Sequence, residues 1–243
     1  MNNPILIFSH NYLVGDWETI VTEQLQLLLD TKLYQASTKI HYCVFAYENN
    51  AYRKFVNLVV QHDPLNKIQI IKHEENKFEF LTLKLLQDTI KQCDKETYVL
   101  YYHTKGLTSV QNCYNKHEGC FDKTIPSSTL HKNAVNWRKC LEYFNIEKWT
   151  KCTEALNTFD TAGALYIDSS GWPFNKYYSG NFWWSKTSYL KNLPDIDVDC
   201  EARIEAELWI GKNTHHWVNF HFNKGGNVYL DEYNPKEYRD DLK

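Results

Sequence analysis

Strand-like and helix-like runs alternate through the first half of the chain, and few folds accept that alternation. Residues 5–8 are a short apolar run before a turn. Trp17, Ile20, Val21, Leu25, Leu28 and Leu29 then recur at helical spacing, with Asp16 placed as an N-cap. Residues 39–47 (KIHYCVFAY) are rich in aromatic and β-branched side chains, which suits a second strand. A helix is expected over 51–61, a third strand over 68–71, a helix over 78–92, and a fourth strand over 98–102 (YVLYY). Strands separated by helices imply a parallel sheet covered on both faces. Ligands of such sheets bind beyond the carboxyl ends of the strands, so the segments just after Phe8, Tyr47 and Tyr102 are the first places to look.

The pattern then changes. Residues 106–128 carry Gly, Asn, Ser, Thr and Pro without a period, as binding loops and lids do. Helices are expected over 133–144 and 147–156, strands over 160–167 and 180–184, a helix over 200–210 and a last strand over 216–222. By analogy of layout, the expectation is an α/β, GT-A-like (Rossmann-related) single domain with a central mixed, mainly parallel sheet. Its nucleotide-binding half would span about 1–106 and its acceptor and catalytic half about 107–243.

Composition removes several function classes. The net charge is −3 and no Lys/Arg run exceeds two residues, so no nucleic-acid footprint is visible. No stretch of 18 apolar residues occurs, and the start of the chain lacks a basic region followed by an apolar run, so neither a transmembrane span nor a signal peptide is expected. The seven cysteines are scattered without a CxxC, which points to reduced thiols in a cytoplasmic setting. GxGxxG, GxxxxGK[ST] and GxSxG are all missing. Aromatic residues reach 15%, enough to supply both a core and a stacking surface for sugar rings.

Five segments can carry chemistry. His103-Thr-Lys-Gly106 follows the fourth strand, where metal-dependent GT-A enzymes carry an Asp-x-Asp pair. No carboxylate stands here, so Mn²⁺ or Mg²⁺ dependence is left open. Lys105 can offset diphosphate charge and His103 can donate to a phosphate. Arg138, beside Trp137, can clamp phosphate bidentately or lie beside a core indole. In 178–184 (YSGNFWW), Gly180 allows a bend, Asn181 can both donate to and accept from sugar hydroxyls, and Trp183 and Trp184 point to opposite faces if extended. One indole can then fill the core while the other meets a ligand. Arg203 and Glu207 are four apart on an expected helix and can pair. Glu207, Glu205 and Asp160 are eligible as a base that takes the acceptor proton. His215, His216 and His221 are a weak metal set, because His216 and His221 fall on opposite faces of a regular strand.

Taken together, the strand with HTKG at 98–106, Trp137-Arg138 with Tyr143-Phe144, Asp160-Thr-x-Gly163, the 178–184 block and Arg203…Ala206-Glu207-x-Trp209-Ile210 resemble a group of GT-A-like glycosyltransferase domains of bacteria and large DNA viruses. They are also distantly similar to rhamnan-synthesis F-type proteins. The resemblance spans about residues 5–215 and implies transfer of a hexose or deoxyhexose from a UDP-, GDP- or dTDP-sugar to a hydroxyl of a glycan or glycoconjugate. It departs at Tyr177, where His is expected. On this reading Ser9, His10 and Tyr47 hold the nucleoside, while His103, Lys105 and Arg138 meet the diphosphate. Asn181 and Trp183 bind donor sugar or acceptor, and Tyr178 and Arg203 are further substrate-binding positions. Glu207 is the base of first choice and Asp160 the second, with no dedicated metal ligand. A catalytically inactive nucleotide- or glycan-binding module is the alternative. A methyltransferase would use Glu48 on a ribose but lacks the Gly-rich first loop.

Overall fold

The computed structural model describes residues 3–104, 127–169, 175–213, 216–222 and 232–242. Its strands are β1 (Ile5–Tyr12), β2 (Lys39–Phe45), β3 (Ile68–Lys72), β4 (Tyr98–His103), β5 (Thr161–Gly163), β6 (Tyr166–Ser169), β7 (Asn175–Tyr178), β8 (Trp183–Lys186) and β9 (Trp217–Asn219). The helices are α1 (Trp17–Asp30), α2 (Leu33–Ala36), α3 (Asn49–Gln61), α4 (Phe80–Lys91), α5 (Ser127–Glu142), α6 (Trp149–Ala155), α7 (Thr187–Leu190), α8 (Ile204–Leu208) and α9 (Pro235–Tyr238). A π-helical turn, Tyr143–Glu147, joins α5 to α6.

One sheet runs β3-β2-β1-β4-β8-β5-β9. β1 pairs in parallel with β2 and β4, and β2 with β3. β8 enters antiparallel to both β4 and β5, and β9 closes the far edge parallel to β5. The fold is thus the expected mixed, mainly parallel α/β sheet. β6 and β7 form a separate hairpin. Among the described residues no helix is long and apolar enough to cross a membrane.

Both faces of the sheet are covered. One core gathers Leu25, Leu28, Tyr42, Tyr102, Leu141 and Trp184; the other gathers Phe8, Leu83, Tyr101, Trp183, Tyr189 and Trp209. Side chains alternate along a strand, so Tyr101 and Tyr102, like Trp183 and Trp184, divide between the two. Tyr101 and Trp183 are register partners across β4 and β8, with ring centroids 5.2 Å apart and nearly parallel. Each fully buried ring of this size contributes about 2–3 kcal/mol.

The second half departs from its expected elements at positions of unusual backbone. The strand expected over 180–184 starts only at Trp183, because Gly180 (φ 90) and Asn181 (φ 53) are left-handed. The strand expected over 160–167 is broken between β5 and β6, where Leu165 has φ 60. The helix expected over 200–210 is reduced to α8 followed by a 3₁₀ turn, Trp209–Gly211, and the last strand covers only Trp217–Asn219. Asp16 makes no capping bond to backbone; its carboxylate accepts from Thr19 Oγ1 at 2.7 Å.

Candidate functional site

β1 begins apolar and ends polar, Ser9-His10-Asn11-Tyr12, although the strand stays buried almost throughout. The polar end is satisfied internally. Asn11 Nδ2 donates to Ser9 O and Cys43 O at 3.2 Å each, Thr104 N donates to His10 O at 3.0 Å, and Tyr12 N donates to Thr104 Oγ1 at 3.1 Å. Ser9 is sealed from solvent and its hydroxyl turns to Asn11 Oδ1 at 3.4 Å. The expected nucleoside contact at Ser9 is therefore corrected to ordering of the strand end.

Beyond that end lie three aromatic rings. Tyr12 stacks on Phe45 (6.0 Å) and Tyr47 packs edge-on against Phe45 (5.0 Å). Tyr47 is 69% exposed. Its hydroxyl oxygen accepts from Tyr12 Oη at 3.2 Å and from Asn76 Nδ2 at 3.5 Å. Those donors hold the Tyr47 phenol below its ordinary pKa, while burial and the Tyr47 hydroxyl push Tyr12 up to about 12.

His10 sits two register positions before the Tyr12–Phe45 pair and opposite His103. Its Nδ1 lies 2.8 Å from Thr82 Oγ1, and His73 Nε2 lies 3.2 Å from the same hydroxyl. Burial holds His10 down to about 3, and the positive fields of Arg203 and neighbouring histidines add to the drop against an opposing pull from Glu79. His10 is therefore neutral at physiological pH. Glu79, at the residue before α4 and without a side-chain capping bond, is 3% exposed. Its Oε2 accepts from Tyr101 Oη at 2.8 Å and from Asn181 Nδ2 at 2.7 Å, while Asn181 Oδ1 accepts from Trp183 Nε1 at 2.8 Å. His103 Nε2 donates to Gly180 O at 2.8 Å.

This network corrects the reading of 178–184. Tyr178, Asn181 and Trp183 are fully buried. Tyr178 Oη donates to Val218 O at 3.2 Å and lies 3.0 Å from Thr161 Oγ1. Both ends of the Asn181 amide and the Trp183 N–H are spent inside the protein, so none of the three faces a ligand. Trp184 is buried too, with Nε1 donating to Asn145 O at 2.8 Å.

Two further expectations are corrected. Arg138 is 3% exposed, and its two terminal nitrogens donate to Glu142 at 2.8 Å and Glu23 at 2.7 Å. It is a buried ion-pair residue of α5 and α1, not a phosphate clamp. Asp160 precedes β5 and binds Lys186 Nζ (3.0 Å) and His216 N (2.8 Å). Lys186 pairs with Tyr98, the first residue of β4. Asp160 is therefore at the amino edge of the parallel strands, the edge opposite His10 and His103. A 410 Å³ cavity also opens at that edge, lined by Ile5, Tyr98, Trp149 and Asn157 among others, with no cationic side chain among the described residues of its wall.

Arg203 and Glu207 do reach the carboxyl edge. Arg203 is exposed just before α8, and its charge acts on both His10 and Tyr12. Glu207 lies in α8, and its carboxylate helps push Tyr101 and Tyr177 up after burial has done most of the work. Lys105, Gly106, most of the 106–128 loop and His215 lie outside the described residues. His216 is exposed and His221 stacks on Phe144 at 5.3 Å; among the described residues no three His, Cys, Asp or Glu side chains are grouped to hold a metal. Glu79, Thr82, His73, Tyr12 and Asn76 were missed. Glu79 did leave a trace, a lone acid within the apolar run FEFLTLKLL.

A family model described as "Domain of unknown function (DUF8361)" matches residues 7–224. No curated protein matches the chain. Among solved structures, a 4-diphosphocytidyl-2C-methyl-D-erythritol synthase is similar at 10% identity and a TM-score of 0.38, over 98% of this chain and 95% of that one. HddC from Yersinia pseudotuberculosis gives 10% and 0.44, over 91% of each chain. The 4-diphosphocytidyl-2C-methyl-D-erythritolsynthase from Anaerococcus prevotii DSM 20548 gives 8% and 0.43, over 97% and 93%. Likeness at this level assigns no activity.

Proposed function

The chain belongs to the DUF8361 family, and we propose that it is a glycosyltransferase that moves a sugar from a nucleoside diphosphate sugar to a hydroxyl of a glycan or glycoconjugate. The observation that carries the reading is the exposed ring of Tyr47, backed by half-buried Tyr12 and buried Phe45, with the charge of Arg203 felt at Tyr12 on the carboxyl edge of the parallel strands. A nucleobase stacks on flat rings. Arg203 then faces the diphosphate, and Lys105 adds charge from the segment after β4. With His103 Nε2 committed to Gly180 O, the phosphates fall mainly to those two cations.

In this scheme Glu207 takes the proton of the acceptor hydroxyl as its oxygen attacks the anomeric carbon. The bond from that carbon to the diphosphate breaks, and the charge left on the nucleoside diphosphate is met by Arg203. Mn²⁺ or Mg²⁺ is an arm of the test, since the segment after β4 offers no Asp-x-Asp pair.

Thermal shifts with UDP, GDP and dTDP, each with and without Mn²⁺, test donor binding. A ligand at a hundredfold excess over Kd adds about 2.7 kcal/mol to the native state. Loss of that shift in Arg203→Ala supports the diphosphate assignment, and no shift with any nucleotide in the wild type overturns the reading. Glu207→Gln is expected to bind donor normally and to transfer sugar at least a hundredfold more slowly, the usual scale of acid–base assistance. The withdrawal of Arg138 and Asp160 from the site favours one competing reading, a binding module without turnover. Donor hydrolysis separates the two, because a pure binder gives none.

A further inference from the structure

The β3–α4 loop holds an aromatic residue in a conformation that such residues avoid. Phe78 has φ 50, in the left-handed region that suits Gly, Asn or Asp and penalises a bulky ring. The ring is 37% exposed and belongs to neither hydrophobic core. The conformation is imposed from both sides. Asn76 Oδ1 accepts from Phe78 N at 3.1 Å, and Lys77 Nζ donates to Asp199 Oδ1 at 3.1 Å, tying the loop to the segment that leads to Arg203. On the other side Glu79 is drawn inward by Tyr101 and Asn181. The other end of the Asn76 amide donates to Tyr47 Oη. One asparagine thus joins the backbone of Phe78 to the hydroxyl of exposed Tyr47.

Folding alone gives little reason for a phenyl ring here. Asn or Gly would meet the backbone demand at lower cost, and a ring this exposed buries little apolar surface. Strain held by its surroundings tends to collect at ligand-binding positions. We infer that Phe78 is an aromatic platform for the apolar C–H face of a pyranose ring, next to the nucleotide end of the site and on its acceptor side. The placing of the platform between nucleotide and acceptor rests on the glycosyltransferase reading; the platform itself rests on the loop. A ring with no polar handle suits the carbon face of a sugar, and the Asn76 amide with the Lys77–Asp199 pair supplies partners for its hydroxyls.

Two variants of the full chain separate binding from folding. Phe78→Asn removes the ring but tolerates the left-handed backbone, and Phe78→Trp keeps an aromatic face. The probes are the methyl pyranosides of glucose, galactose, mannose, N-acetylglucosamine and rhamnose, observed by saturation-transfer NMR with and without UDP. The expected result is contact with at least one pyranoside in the wild type and in Phe78→Trp, with affinity weakened about tenfold or more in Phe78→Asn, roughly one stacking contact. Phe78→Asn is also expected to melt at or above the wild-type temperature. No pyranoside contact in the wild type, equal contact in Phe78→Asn, or a clearly lower melting temperature for Phe78→Asn each overturns the inference. Failure of every nucleotide to bind removes the transferase reading, and the pyranoside result still decides the platform.

Discussion

Asn181 Nδ2 donates to Glu79 Oε2 across 2.7 Å, joining two residues 102 positions apart inside the protein. Glu79 immediately precedes α4, and Asn181 sits in the left-handed turn before β8. Their bond fixes the antiparallel strand against the parallel half of the sheet just under the carboxyl edge. Glu79→Ala strands the Tyr101 hydroxyl and the Asn181 amide, each a buried donor whose loss costs about 1–3 kcal/mol. The variant is expected to lose about 3 kcal/mol or more in urea unfolding, with the denaturant slope unchanged. A loss below 1 kcal/mol would mean that the network relaxes without cost.

Gly180 is required twice over. Its φ of 90 disfavours any side chain, and a Cβ there would lie 2.6 Å from Leu141 Cδ1 and 3.0 Å from Trp137 Cζ2. Gly180→Ala is expected to destabilise by about 2–4 kcal/mol, from overpacking together with backbone strain. Because His103 Nε2 bonds to Gly180 O, the change is also expected to move the His103 ring resonances in NMR spectra. Unchanged shifts would show that the turn yields without disturbing β4.

Arg138 is a buried counter-ion of Glu142 and Glu23. Burial raises the Glu142 carboxyl, and Arg138 is the chief group that opposes the rise. Removing one partner of a buried pair costs about 3–5 kcal/mol. Arg138→Met is expected to show that loss in chemical denaturation yet keep the wild-type response to whichever nucleotide binds. Weaker nucleotide binding at equal folded fraction would return Arg138 to the site.

His41 stacks on Phe8 at 4.5 Å, and both of its ring nitrogens are buried without a hydrogen-bond partner among the described residues. Burial, and secondarily Lys39, hold its pKa at about 4 against an ordinary value of 6.5. The unfolded chain therefore binds a proton in a pH window where the folded chain does not. The contribution to stability is complete above about pH 6.5 and is lost as the pH falls through 4. His10, held at about 3, acts in the same sense. His41→Phe is expected to flatten the fall in melting temperature between pH 6.5 and 4. A variant as acid-sensitive as the wild type would assign that slope to other groups.

The local residue pattern determined the parallel half of the sheet and the edge at which its strands end. The runs at 5–8, 39–47 and 98–102 are apolar enough to be strands covered on both faces, and their spacing by helices leaves little other geometry. Period-two alternation also put Trp183 and Trp184 on opposite faces. The tertiary structure decided what lies on those faces. Helices cover both sides of β8, so both indoles are core and neither meets a ligand. The antiparallel entry of β8, which no local pattern encodes, carried Asp160 to the amino edge and turned Asn181 toward Glu79. Burial likewise gave Arg138 its two carboxylates, and folding let the charge of Arg203 act on Tyr12 across 191 positions of sequence. Polar residue types announce that they need partners; only the packed chain assigns which partners they take.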